Sequence, residues 1–167
     1  RFGSVYADQA IIGHSNEGDF ATFAADETSE ALKDRIIAVQ VPYNLRMSEE
    51  VKIYSKMLET SDIDKVHVAP LTLPSVSTLA VLTRLTPPIK QGMSLIEKLR
   101  LYDGQMLSNY TRQDVVLMQS HQLDEGMKGM SPRYVMNRLG AIAAYPDTSC
   151  ISSIAAIDSL WKGLEEN

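Results

Sequence analysis

QAIIGHSNEGDFATFAADETSEALKDRIIAVQVPY, residues 9–43, decides how the rest of the chain is read. Two apolar runs, at residues 10–13 and 36–41, flank a polar loop and one short helix. Continuous β-branched runs such as Ile11-Ile12 and Ile36-Ile37 suit strands buried on both faces of a parallel sheet. Parallel strands need a crossover connection, usually through a helix. Ligands in α/β proteins gather at the carboxyl ends of such strands. Asn16 stands at one such end, after His14 and Ser15, and Arg35 at the helix-to-strand corner. Phe20 and Phe23, three positions apart, can pack on one helical face. Thr28 and Ser29 can cap the short helix that leads to Arg35.

After Tyr43 the pattern turns helical and stays so. Ser48 followed by Glu49-Glu50 is a helix start, with Val51, Tyr54, Met57 and Leu58 on one face. Thr72 and Pro74 open a second helix striped by Val76, Leu79, Ala80 and Thr83, which Pro87-Pro88 stops. Leu95, Ile96 and Leu99 mark a shorter helix closed by Gly104. Thr111 caps one carrying Val115 and Met118. Ser131-Pro132, a cap followed by proline at the first helical position, starts the helix of Val135, Leu139 and Ile142. A last helix over residues 149–164 is expected to turn Ile151, Ile154 and Trp161 inward.

Composition bounds the function. The 167 residues can bury a core, and 44% hydrophobic with 22% charged residues is ordinary for a globular protein. A net charge of -5 argues against nucleic acid as a partner. No apolar run reaches the ~20 residues that span a bilayer, and no signal-peptide pattern opens the chain. The single cysteine, Cys150, excludes an internal disulfide and points to a cytoplasmic location, with a small buried residue as its default role. His14, His67 and His121 show no metal spacing, so no metal site is expected. Arg1 in place of an initiator methionine suggests a fragment.

The quoted stretch resembles the back half of an AAA+ ATPase core, and that of the PrkA-type serine protein kinases in particular. HSNEGDFATF at 14–23, EALKDR at 30–35 and VPYNLRMSEEVKIY at 41–54 carry the resemblance. LRLYDG at 99–104 and DEGMKGMSPRYVMNRL at 124–139 extend it over nearly the whole chain. The resemblance implies an α/β core fragment holding two parallel strands of a P-loop sheet, then a mainly helical lid, so that the chain is predominantly helical. It divides the chain into the core end at 1–44, the lid at 45–145, and the start of the following region at 146–167. It further implies a cytoplasmic bacterial protein with roles in stress, stationary phase or sporulation.

The same resemblance assigns residues. Asn16 matches sensor 1, which positions the attacking water; Arg35 matches the arginine finger, which reaches a neighbouring subunit's nucleotide; Arg133 matches sensor 2, which touches the γ-phosphate. Arg46 is a lesser finger candidate. ATP and Mg2+ are implied, bound mainly upstream, because G-x-x-x-x-G-K-[ST] is absent here. The piece alone is therefore expected to be inactive. Its exposed strand edges should make it prone to aggregation. A ring of subunits and a protein substrate are the implied partners.

Plainer readings stand beside these. Asn16 can simply make a turn. Arg35 can pair with Asp34 or Glu30 on its own helix. Arg133 opposes the dipole of its helix, which suits a bound anion near free backbone N–H groups, but it can equally pair with Asp124 or Glu125. No protein-kinase signature is present. AAA+ remodelling or ATP-dependent proteolysis stays open as an activity. So does a helical adaptor whose Met57, Met118, Met127, Met130 and Met136 form an adaptable surface.

Overall fold

A computed structural model describes residues 8–26, 30–61, 63, 66–122 and 124–165. The chain divides into two compact units, Arg1–Gln40 and Val41–Asn167. The first holds α1 (Glu17–Ala25) and the short α2 (Glu30–Lys33). Asn16 caps α1, Glu17 and Asp19 lie in its first turn, and the rings of Phe20 and Phe23 stand 6.3 Å apart. The expected caps Thr28 and Ser29 lie outside the described residues, as does most of the lead-in before Ala10.

The predominantly helical fold stands, but the paired strands lie elsewhere than residues 10–13 and 36–41. Those two runs carry no ladder among the described residues. Ile11, Ile12 and Ile37 are 90%, 97% and 91% exposed. The physical reason is that a strand is held by a neighbour's N–H and C=O groups, and none of the described residues supplies one.

The second unit is built from α3 (Met47–Glu59), β1 (His67–Val68), α4 (Thr72–Arg84), α5 (Leu95–Tyr102), α6 (Arg112–His121), α7 (Pro132–Ala143), β2 (Cys150–Ile151) and α8 (Ser153–Glu165). β1 and β2 form a parallel pair in the register His67 to Cys150 and Val68 to Ile151. The chain between them supplies the crossover that a parallel pair requires.

The packing centres on α4. It contacts α3, α5 and α8, and α8 also lies on α7. Val76 and Ala80 of α4 join Tyr54, Leu58, Val135, Leu139, Ile151 and Leu160 in one core. One step round the same helix, Val81 joins Leu99, Leu101, Tyr102 and Met118 in a second.

Several helix ends use chemistry that the sequence announces. Ser94 with Glu97, and Thr111 with Asp114, form capping boxes at α5 and α6. Ser131 caps α7 through the Tyr134 N–H, with Pro132 opening the helix. Other ends differ from expectation. α3 begins at Met47, and the Ser48 N–H is capped by Asp103 Oδ1 from 2.7 Å, across the fold. α4 ends at Arg84, ahead of Pro87-Pro88.

α8 begins at Ser153, because Ile151 is taken into β2. Its inner face is Ala156, Leu160 and Gly163, while Ile154 and Trp161 are exposed. Cys150 is exposed rather than buried, since it is the outward residue of a two-residue strand.

Gly129 fixes the approach to α7. Its φ is +109°, and an added Cβ would stand 2.6 Å from the Thr83 carbonyl oxygen. Both the backbone and the space require glycine. Gly129→Ala should lower stability by roughly 1–3 kcal/mol, read as a lower denaturant midpoint with an unchanged slope.

Candidate functional site

The three residues singled out from sequence fall in both units. In the first, the Asn16 side-chain amide makes one hydrogen bond at each end. Its Oδ1 accepts from the Asp19 N–H at 2.6 Å and its Nδ2 donates to the Asp19 carboxylate at 2.7 Å. Its geometry is that of a helix cap, and the exposed amide keeps one N–H and one oxygen lone pair for water. Arg35 follows α2 in a turn closed by its own N–H on the Leu32 carbonyl at 3.0 Å. Its guanidinium is exposed and has no hydrogen-bond or ion-pair partner among the described residues, so neither Asp34 nor Glu30 holds it.

In the second unit, Arg133 is the second residue of α7. Pro132 has no N–H, Tyr134 donates to Ser131 Oγ and Val135 to the Ser131 carbonyl. One backbone N–H, that of Arg133 itself, is left at this helix start, where several were expected. The Arg133 side chain is exposed without a partner among the described residues. Glu125, its expected alternative partner, is buried and committed elsewhere. Arg46 is tied to the Tyr102 carbonyl through its Nε at 3.3 Å. Among the described residues no cluster of three or more His, Cys, Asp or Glu could hold a metal. For a nucleotide, Arg35 and Arg133 fit as phosphate ligands because each presents an unspent planar donor fork.

Two buried charge centres are absent from the sequence reading. In the first, Arg84 and Glu50 are both fully buried and meet at 2.5 Å. The other two guanidinium nitrogens of Arg84 donate to the carbonyls of Met130 at 2.9 Å and Asn44 at 2.8 Å, and its guanidinium lies 5.1 Å from the Tyr43 ring centroid. Tyr54 Oη donates to the same Glu50 oxygen at 2.7 Å.

In the second, Lys98 Nζ donates to Glu125, to Gln122 Oε1 at 2.5 Å and to the Thr86 carbonyl at 2.9 Å. Tyr102 donates to the other Glu125 oxygen at 2.5 Å. The backbone N–H and hydroxyl of Thr86 both donate to Glu125, each at 3.0 Å. A sequence signal did exist. Glu50 with Tyr54, and Lys98 with Tyr102, are charge–tyrosine pairs at helical spacing, and Arg84 continues the buried stripe of Val76 and Ala80.

The centres account for the motifs. In Tyr102-Asp103-Gly104, Tyr102 binds Glu125, Asp103 caps α3, and Gly104 takes a φ of +89° after α5. In residues 124–139, Glu125 is a charge partner and Gly126 has a φ of +78°. A Cβ on Gly126 would press Pro42 Cβ and the Tyr43 carbonyl at 3.0 Å each.

Known proteins match the chain throughout. The family model of the PrkA AAA domain matches residues 1–92, and that of the PrkA serine protein kinase C-terminal domain matches residues 96–167. The chain belongs to the PrkA family. Among its relatives is a Bacillus subtilis (strain 168) protein named ATP-dependent protease PrkA, 41% identical over 167 residues, covering 100% of this chain and 26% of that protein. The serine/threonine kinase YeaG of Escherichia coli (strain K12) is 38% identical over 136 residues, 79% of this chain and 21% of that protein. The chain thus spans about a quarter of the length of these curated PrkA relatives. No solved structure matches. Among the described residues no helix is long and apolar enough to cross a membrane.

The PrkA fold imposes a pH limit of its own. Burial first, and then the bond to a carboxylate, push the phenols of Tyr54 and Tyr102 well above their ordinary value of 10.0. Above pH 10.0 the unfolded chain sheds protons that the folded chain keeps, so stability is full below that pH and falls above it. The slope should reach about 1.4 kcal/mol per pH unit for each tyrosine. Alkaline denaturation midpoints and phenolate absorbance check it, with at least two tyrosines ionising only on unfolding.

Removing one partner of the first centre should cost far more than removing the charge altogether. Arg84→Ala is expected to lose roughly 3–5 kcal/mol, whereas Arg84→Met with Glu50→Leu recovers most of it. Urea denaturation of the two variants makes the comparison.

Proposed function

We propose that this chain supplies nucleotide-handling residues to an ATP-using PrkA protein. The match of residues 1–92 to the PrkA AAA domain carries the reading. The guanidinia of Arg35 and Arg133 support it, since each is exposed without a partner among the described residues while Arg84 and Lys98 are buried and paired. In this reading residues 1–44 end the AAA core, residues 45–145 are the lid and residues 146–167 begin the region that follows. Asn16 orients water, Arg133 contacts phosphate, and Arg35 reaches the nucleotide of a neighbouring subunit in a ring. Bound ATP with Mg2+ supplies the phosphoryl chemistry, and both are held mainly by parts of the protein that precede these residues. The setting is a bacterial cytoplasm.

The names of the relatives divide between kinase and protease. Phosphorylation of a protein substrate, or ATP-driven remodelling or proteolysis, is accordingly the reading for the whole protein. In this reading Asn16, Arg35 and Arg133 bear on ATP rather than on either downstream step. The adaptor reading has less support, because Met118, Met130 and Met136 are buried and only the remainder of that methionine set can face a partner.

Phosphate release by the full-length protein, with particle mass followed alongside, tests the proposal. Arg35→Ala should still assemble and bind ATP but lose turnover by ~10³-fold or more, the usual contribution of an arginine finger. Arg133→Ala should weaken ATP binding. Wild-type turnover in both variants would reduce these arginines to surface charges.

A further inference from the structure

The two family matches part between residues 92 and 96, and the fold does not. α3, β1 and α4 come from the AAA-matching part; α7, β2 and α8 come from the part that matches the kinase C-terminal domain. They share one parallel strand pair and one core, in which Tyr54, Val76 and Ala80 meet Val135, Ile151 and Leu160. Met93, in the interval between the matches, is itself buried in the second core.

The buried charges cross the same line. Arg84 needs the Met130 carbonyl from the far side to satisfy its Nε. Lys98 needs the Thr86 carbonyl, and Glu125 accepts from the Thr86 N–H and hydroxyl. If the two parts separated, each ion pair would keep its charged partner but lose neutral partners that complete it. A buried polar group left incomplete is costly, and the shared apolar core would be exposed as well. Packed interiors of this kind change between discrete arrangements rather than bend.

From this arrangement we propose that α3, α4, α7 and α8 open and move as one body, with Arg84 as the positioning group that welds the AAA-matching segment to the kinase-named one. A shift imposed on α3 and α4 then reaches α8 without a hinge at residues 92–96. The use made of it, nucleotide state steering the C-terminal part, rests on the ATP reading above. The weld itself does not.

Native-state hydrogen exchange of the full-length protein decides the matter, first without nucleotide. Arg84→Lys should speed the amides of α3, α4, α7 and α8 by one common factor, roughly 10–100-fold, the worth of a charged hydrogen bond. Ile151→Val, a milder change on the opposite side, should do the same by a smaller common factor, roughly 2–10-fold. Acceleration confined to the mutated side in either variant overturns the weld. Saturating ATP should then alter α8 together with α3 and α4. A response in α3 and α4 alone overturns the coupling. No response anywhere, with no ATP bound, counts against the ATP reading, while the common factor has already decided the weld.

Discussion

The Arg84–Glu50 pair is the constraint on which the helical unit depends. Both side chains are fully buried, so neither can be hydrated and each must be completed by protein. Completion fixes four segments at once. Glu50 holds α3 through Tyr54, Arg84 ends α4, and the carbonyls of Asn44 and Met130 bring in the entry to α3 and the approach to α7. Such a pair adds little net stability over an apolar substitute, because desolvation offsets most of the attraction. Its effect is on arrangement: a chain passing elsewhere would strand a cation in the core.

The second centre repeats this logic one layer away. Lys98, Glu125, Tyr102, Thr86 and Gln122 close around one another, and Gln122 in turn donates to the Pro87 carbonyl at 2.7 Å. The loop between α6 and α7 therefore runs between two charge centres. It can do so only with glycine at positions where the backbone turns left-handed against other segments. Gly126 lies against residues 42–45 and Gly129 against Thr83. The motif at residues 124–139 is thus mainly a piece of construction, with Lys128 and Arg133 the cations in it that sit exposed without a partner among the described residues.

This separates two kinds of arginine that look alike in sequence. Arg84 is consumed by structure, each of its three guanidinium nitrogens donating to a fixed acceptor. Arg35 and Arg133 have guanidinia available for an incoming anion, at little cost, because they are already hydrated. The contrast explains why charge alone does not mark a site.

Local chemistry by itself determined the helices, several of their caps and the family. Ser131-Pro132 starts α7 and Thr111 starts α6 because a cap needs only residues within one turn. The motifs that carry the resemblance are likewise contiguous. Tertiary structure decided what depends on distant partners. The apolar runs at 10–13 and 36–41 have strand chemistry but no described neighbour to pair with, while two residues at 67–68 become a strand because 150–151 lie beside them. The inner face of α8 was set by α4 and α7, which selected Ala156, Leu160 and Gly163 over the larger Ile154 and Trp161. A buried ion pair such as Arg84 with Glu50 was decided in the same way. Its members stand 34 residues apart, and no rule of local spacing brings them together.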